Sequence, residues 1–200
     1  MIKAVMFDHG KVISHAPNTT TRHDIASAFG VSDEDTGKAI GKYIGDFRKG
    51  ILTEDSFWEK MASEFGKPVP ENKYELWRAD FRKKLEIFDD MLDFVRYLKS
   101  KGLKVGVISN NITPYVEIIN ERDGFKDFDI VINSCEVGFS KPEEGIFKLA
   151  LDKLNLPPQE VLFVDDRQEN IDTAKRMGMV TLLATDLTKL REDIKEVLNN

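Results

Sequence analysis

Four polar groups recur at one kind of place in this chain, at or just beyond the end of a short apolar run. Asp8 follows IKAVMF, Ser109 and Asn110 end the run LKVGVISN, Lys141 opens a helical pattern after FDIVIN, and Asp165 and Asp166 end VLFVDD. A carboxylate such as Asp8 can act as a nucleophile. A hydroxyl and an amide can hold anionic oxygens, an ammonium can neutralise them, and adjacent carboxylates can hold a divalent cation. Singly, each also has a structural reading: Ser-Asn forms turns, Lys-Pro opens helices, and Asp residues cap them. Their joint recurrence demands that the runs be strands ending along one edge of one sheet.

The runs have strand length and suit a pleat covered on both faces, so they read as buried parallel strands. In an open α/β sheet the carboxyl edge is where ligands bind. From about residue 88 helix and strand alternate regularly. An amphipathic helix carries Met91, Phe94, Val95 and Leu98 and ends at Gly102. It is followed by a strand at 103–109, a helix from Thr113 to about Arg122 and a strand at 128–133. A helix opens at Ser140, where Glu143 completes a capping box and Pro142 fits the first turn. A strand at 161–166, a helix to Met177, a strand at 179–184 and a last helix from about Leu187 complete the chain. Strands separated by helices predict an α/β fold with helices on both faces of a parallel sheet.

Between the first strand and residue 103 lie about 90 residues that read almost entirely as helix. A strand-helix-strand unit needs only about 30 residues, so some 60 are surplus and predict an inserted helical domain. Within it, Ser32 to Asp35 resembles a capping box opening a helix to about Arg48, ended by Gly50. Thr53 caps the next helix, whose apolar face is Phe57, Trp58, Met61 and Phe65 and which Gly66 and Pro68 close. Tyr74, Trp77 and Phe81 recur at helical spacing, and the whole aromatic stripe reads as the insert's core. His23, Arg48 and Arg78 are the polar residues of the insert that could reach the strand-end cleft; a solvated helix face is the plainer reading of each.

A chain of 200 residues can bury a core without staples. A net charge of −6 argues against a nucleic-acid or anionic-membrane surface. The single Cys135 cannot form an intramolecular disulfide and reads as a buried structural thiol in a reducing compartment. The N-terminal apolar run is too short for a signal peptide, and no stretch approaches membrane-spanning length, so the expected location is cytoplasmic.

With these residues in view, the chain resembles the haloacid dehalogenase-like hydrolase superfamily. FDHGKVI resembles its motif one, VISNN motif two, FSKPEEGIF the motif-three lysine, and FVDDRQENIDTAKRMGM motif four with the following helix. The resemblance implies a Rossmann-like three-layer core over residues 1–14 and 86–200, with five main strands in the order 5-4-1-2-3, and a helical cap over 15–85 inserted after strand one. It implies that Asp8 is the nucleophile, forming an aspartyl-phosphate, and that Ser109, the amide of Asn110 and Lys141 hold the phosphate oxygens. Magnesium would be held by Asp8, the carbonyl of Gly10 and Asp166, with Asp165 acting through water. The expected activity is hydrolysis of a small phosphorylated metabolite, such as a sugar phosphate, by a monomer or homodimer.

One position departs from the family pattern. Motif one ordinarily carries a second Asp two residues after the nucleophile, as general acid and base, and here that residue is Gly10. Such help is worth ~10²–10⁴-fold in rate. Some subgroups share this Gly, and the expectation is that His9 or a cap residue supplies the proton; the plainer reading packs His9 under the cap. Gly10 is also the one feature favouring a binding module that does not catalyse. A dehalogenase is disfavoured, because Asp165 and Asp166 beside the nucleophile would repel a carboxylate substrate. A phosphomutase is disfavoured by the missing acid.

Overall fold

The computed structural model describes residues 1–15 and 21–199. In chain order the elements are β1 (Ala4–Phe7), β2 (Ser14–His15), α1 (Thr21–Phe29), α2 (Asp33–Arg48), α3 (Glu54–Phe65), α4 (Lys73–Lys84), β3 (Glu86–Ile87) and α5 (Asp89–Ser100). They continue as β4 (Lys104–Ser109), α6 (Thr113–Glu121), β5 (Ile130–Asn133), α7 (Ser134–Val137), α8 (Glu144–Leu154), β6 (Val161–Asp165), α9 (Gln168–Arg176), β7 (Val180–Leu183) and α10 (Leu187–Asn199).

Five of the strands form one parallel sheet in the order β5-β4-β1-β6-β7. Numbered along the chain this is 3-2-1-4-5, the expected order read from the other edge. Side chains alternate across a strand, and the two faces of the sheet bury different sets. Val5, Phe7, Val107 and Val164 pack with Phe94 and Leu98 of α5 and Ile194 of α10. Ala4, Met6, Ile108 and Phe163 pack with Phe147 of α8 and Ala174 of α9. Each fully buried large side chain contributes roughly 1.5–3 kcal/mol. The register pairs Phe7 with Val107 on one side and Val164 on the other. The next residue of β1, Asp8, therefore emerges beside Asp165 at the carboxyl edge.

Helices α1 to α4 pack together over that edge. Their termini follow the sequence signals: Ser32 Oγ accepts from the Asp35 N–H at 3.0 Å, and Thr53 Oγ1 accepts from the Ser56 N–H at 3.1 Å. Phe57, Trp58 and Met61 are fully buried. Tyr74 departs from the expected core stripe and is exposed, stacked under Lys73 and bonded through its hydroxyl to Asp55. A two-stranded antiparallel ribbon, Ser14 opposite Ile87 and His15 opposite Glu86, stands where the chain leaves and re-enters the sheet region. The helical reading of this region contained no such strands, because two residues are too few to carry a period.

Contacts between the helical layer and the sheet domain are apolar as well as charged: Trp77, Phe81 and Leu85 share one core with Ile112, Tyr115, Ile118 and Ile119, and the rings of Phe81 and Tyr115 meet edge-on with 5.0 Å between centres. Arg78 of α4 donates from Nε to Glu117 of α6 at 2.9 Å and from Nη1 and Nη2 to Glu54 at 2.9 Å. One turn on, Arg82 donates to Glu121. At the other end, Gly50 has φ 67°, and a Cβ there would lie 2.2 Å from the Cys135 carbonyl oxygen, so both conformation and close approach require glycine. Cys135 itself is only half buried, and burial pushes its thiol up to about 11. Among the described residues no helix is long and apolar enough to cross a membrane.

Candidate active site

The helix expected to open at Ser140 begins four residues later, at Glu144. The intervening turn is locked: Glu143 N–H donates to Ser140 O at 2.8 Å, and Ser140 N–H donates to Glu143 Oε2 at 2.9 Å. The backbone of Lys141 is used elsewhere. Its N–H donates to Asn110 Oδ1 and its carbonyl accepts from Asn110 Nδ2, both at 2.8 Å. A residue whose two backbone groups bond to another loop cannot also start a helix. The gain is position: the Lys141 ammonium enters the strand edge, 2.7 Å from Asp8 Oδ1 and 2.7 Å from Asp165 Oδ2.

Asp165 is completely buried, and its second oxygen accepts from the Arg167 N–H and from Asn170 Nδ2, each at 2.9 Å. Asp166 turns the other way and accepts from Lys11 Nζ at 2.9 Å. Carboxylate oxygens of Asp8, Asp165 and Asp166 all lie within 4.8 Å of one another. Three hard oxygen donors this close suit a small divalent cation better than any soft metal. Gly10 lines the same cavity. Ser109 ends β4, is 3% exposed, and also lines the cavity.

Burial pushes the Asp8 carboxyl up to about 6, against the opposing pull of Lys141. Burial and then the Lys141 charge hold the neighbouring His9 ring down at about 3, so it is neutral at ordinary pH. Its Nδ1 lies 3.0 Å from Ser14 Oγ and its ring packs edge-on against Phe125 and Tyr115. It is fully buried outside the cavity lining. His9 is therefore a packing residue, and the expectation that it hands a proton to a substrate fails on geometry.

A cavity of about 530 Å³ lies between this edge and the helical layer. Asp8, Gly10, Ser109, Asn110, Lys141 and Asp166 all line it, while Asp165 stands behind them, holding Lys141. Of the insert residues singled out by sequence, Arg48 lines the cavity. Arg78 is engaged with Glu54 and Glu117, and His23 lies 3.1 Å from Asp33 on the surface. Trp77 and Phe81 serve both as insert core and as cavity wall. Sequence reasoning missed Arg22, Lys11, Arg167 and Asn170. Asn170 had a readable signal, since it falls in the first turn of the helix after the acidic pair; the arginines and Lys11 had none.

The site is a buried lysine between strand-end carboxylates, under a helical layer on a parallel α/β sheet. The chain belongs to the haloacid dehalogenase-like hydrolases, whose family model matches residues 2–178. It is 31% identical to mouse acyl-CoA dehydrogenase family member 10 over 90% of its own length, and spans only 18% of the length of that relative. It is 28% identical to a D-ribitol-5-phosphate phosphatase of Bacteroides thetaiotaomicron, with both chains covered in full. Among solved structures, a HAD family enzyme from Bacteroides thetaiotaomicron, in complex with magnesium and inorganic phosphate, superposes with a TM-score of 0.78. Identity there is 22%, over 95% of this chain and 99% of the other.

Proposed function

We propose that the chain is a magnesium-dependent phosphomonoesterase acting on a small phosphorylated metabolite through an aspartyl-phosphate on Asp8. The observation that carries the reading is the convergence of three carboxylates with one buried lysine beside a cavity. The similarity to a sugar-alcohol phosphate phosphatase over the full length supports it. Residues 1–14 and 86–200 are taken as the catalytic core and 15–85 as the cap.

Asp8, Asp166 and the Gly10 carbonyl would hold the magnesium ion, with Asp165 acting through water. When bound, the ion shields the approach of the Asp8 carboxylate to an anionic phosphate. Asp8 attacks phosphorus, the new bond being Asp8 oxygen to phosphorus, as the ester oxygen departs with its electron pair. Lys141, the Ser109 hydroxyl and the Asn110 amide hold the equatorial oxygens as charge spreads over them. Water then cleaves the acyl phosphate and restores Asp8. Gly10 brings no side chain to the departing oxygen, so the proton is left to water or to a cap residue, and esters of acidic alcohols react fastest.

The test is hydrolysis of sugar phosphates and p-nitrophenyl phosphate with magnesium and with EDTA. Turnover that needs the metal and vanishes in Asp8→Asn is the expected result. Retained magnesium binding with no turnover on any ester would leave the binding-module reading, for which Gly10 is the only argument.

A further inference from the structure

Two arginines on the cavity wall have no counter-charge of their own among the described residues. Of the five cationic side chains lining the cavity, Lys141 is engaged with Asp8 and Asp165, Lys11 with Asp166, and Arg167 with Glu169. Arg22 of α1 and Arg48 of α2 pair with no acidic side chain among the described residues. The intervening stretch 16–20, Ala-Pro-Asn-Thr-Thr, contains no acid. The chain as a whole is acidic, with net charge −6, so these cations are not part of a general basic surface. Arg22 and Arg48 are both exposed at the rim of the cavity; burial and then the charge of Arg167 lower the Arg48 pKa, which marks like charges held close together there. An anion entering such a cleft relieves the repulsion and is steered there from solution.

The wall between the arginines is apolar and cut back. Gly37, Ile40, Gly41 and Ile44 of α2 line the cavity. Arg22 lies across Gly37, where an added Cβ would stand 3.1 Å from its Nη1, and Gly41 has open space beside it. Gly37 and Arg48 are eleven residues apart, roughly 16 Å along a helix. Arg48 therefore stands near the end where Arg167 follows Asp166, and Arg22 near the other. Pockets of this size bury most of a small ligand, which leaves room for a leaving group well beyond the phosphate. The transferred phosphate is already served by Lys141 and the metal.

We propose that the substrate's leaving alcohol carries a second anionic group, a carboxylate or a second phosphate, on an apolar body seated along α2, and that Arg22 reads that group at the far end while Arg48, nearer the carboxylates, strengthens the positive field that draws it in. This rests on the phosphomonoesterase reading and adds its substrate class. The experiment uses a matched series of alkyl phosphates of four to eight carbons ending in methyl, carboxylate or phosphate, for the wild-type chain, Arg22→Gln, Arg48→Gln and the two Arg→Lys variants. The expected result is a kcat/KM at least tenfold higher for the acid-ended esters, falling towards parity in Arg22→Gln, falling part of the way in Arg48→Gln, and largely kept in the Lys variants. Whichever acid is preferred identifies the source of the second charge.

The non-hydrolysable phosphonates of the same series, titrated calorimetrically into wild type with magnesium, read the arginines without turnover. Tighter binding of the acid-ended ligands, lost in Arg22→Gln, supports the proposal even if no ester is cleaved, and in that case only the hydrolase reading fails. Equal binding of methyl and acid ends, or a preference that Arg22→Gln keeps, overturns it.

Discussion

The ammonium of Lys141 joins Asp8 to Asp165: its Nζ is 2.7 Å from an oxygen of each, and Lys141 is 4% exposed. One cation thus serves two buried carboxylates that come from neighbouring strands of the sheet.

Replacing Lys141 by Met removes the cation and leaves both carboxylates. Breaking a buried pair in this way costs about 3–5 kcal/mol of stability, and losing a donor to the developing charge costs ~10²–10³-fold in kcat. Denaturant unfolding and steady-state kinetics check the two effects. An unchanged unfolding midpoint would mean that the triad is not held together in solution.

The buried His9 makes the metal-free protein acid-sensitive. Its folded pKa is about 3 against an ordinary value of 6.5, so between these values the unfolded chain binds the extra proton. The contribution is fully present above pH 6.5 and is lost progressively as pH falls towards 3. Asp8, raised from 3.8 to about 6, acts with the opposite sign within its own window. The difference between wild type and His9→Asn isolates the imidazole. The variant is expected to lose less stability than wild type between pH 7 and 4, measured by urea unfolding in EDTA.

Gly41 lies in the interior of α2 with nothing near its missing Cβ. Gly41→Ala is expected to raise stability by about 0.5–1 kcal/mol. Gly41→Leu projects a larger side chain towards the cavity and is expected to raise KM for bulky phosphate esters more than for acetyl phosphate. Thermal melts and a KM comparison across ester size test both effects.

The strand order was implied only by the family resemblance, whereas the sequence by itself determined the α/β alternation, the helical insert with its caps at Ser32 and Thr53, and the strand-end placing of Asp8, Ser109, Lys141 and Asp166. These follow from local signals: an apolar run, a capping residue, a polar residue at a run's end. Only the tertiary structure decided which insert side chains meet the cavity. Arg48 reaches it, whereas Arg78 turns aside to Glu54 and Glu117 and His23 faces Asp33 on the surface. It also decided that α8 waits until Glu144, because Asn110, 31 residues earlier in the chain, takes both backbone groups of Lys141. His9 was decided the same way, buried against Phe125 and Tyr115 by packing that no neighbouring residue announces. The physical reason is common to all three: facing and partner choice are set by contacts between residues far apart in the chain, and a periodicity records only that a side is apolar, not what lies against it.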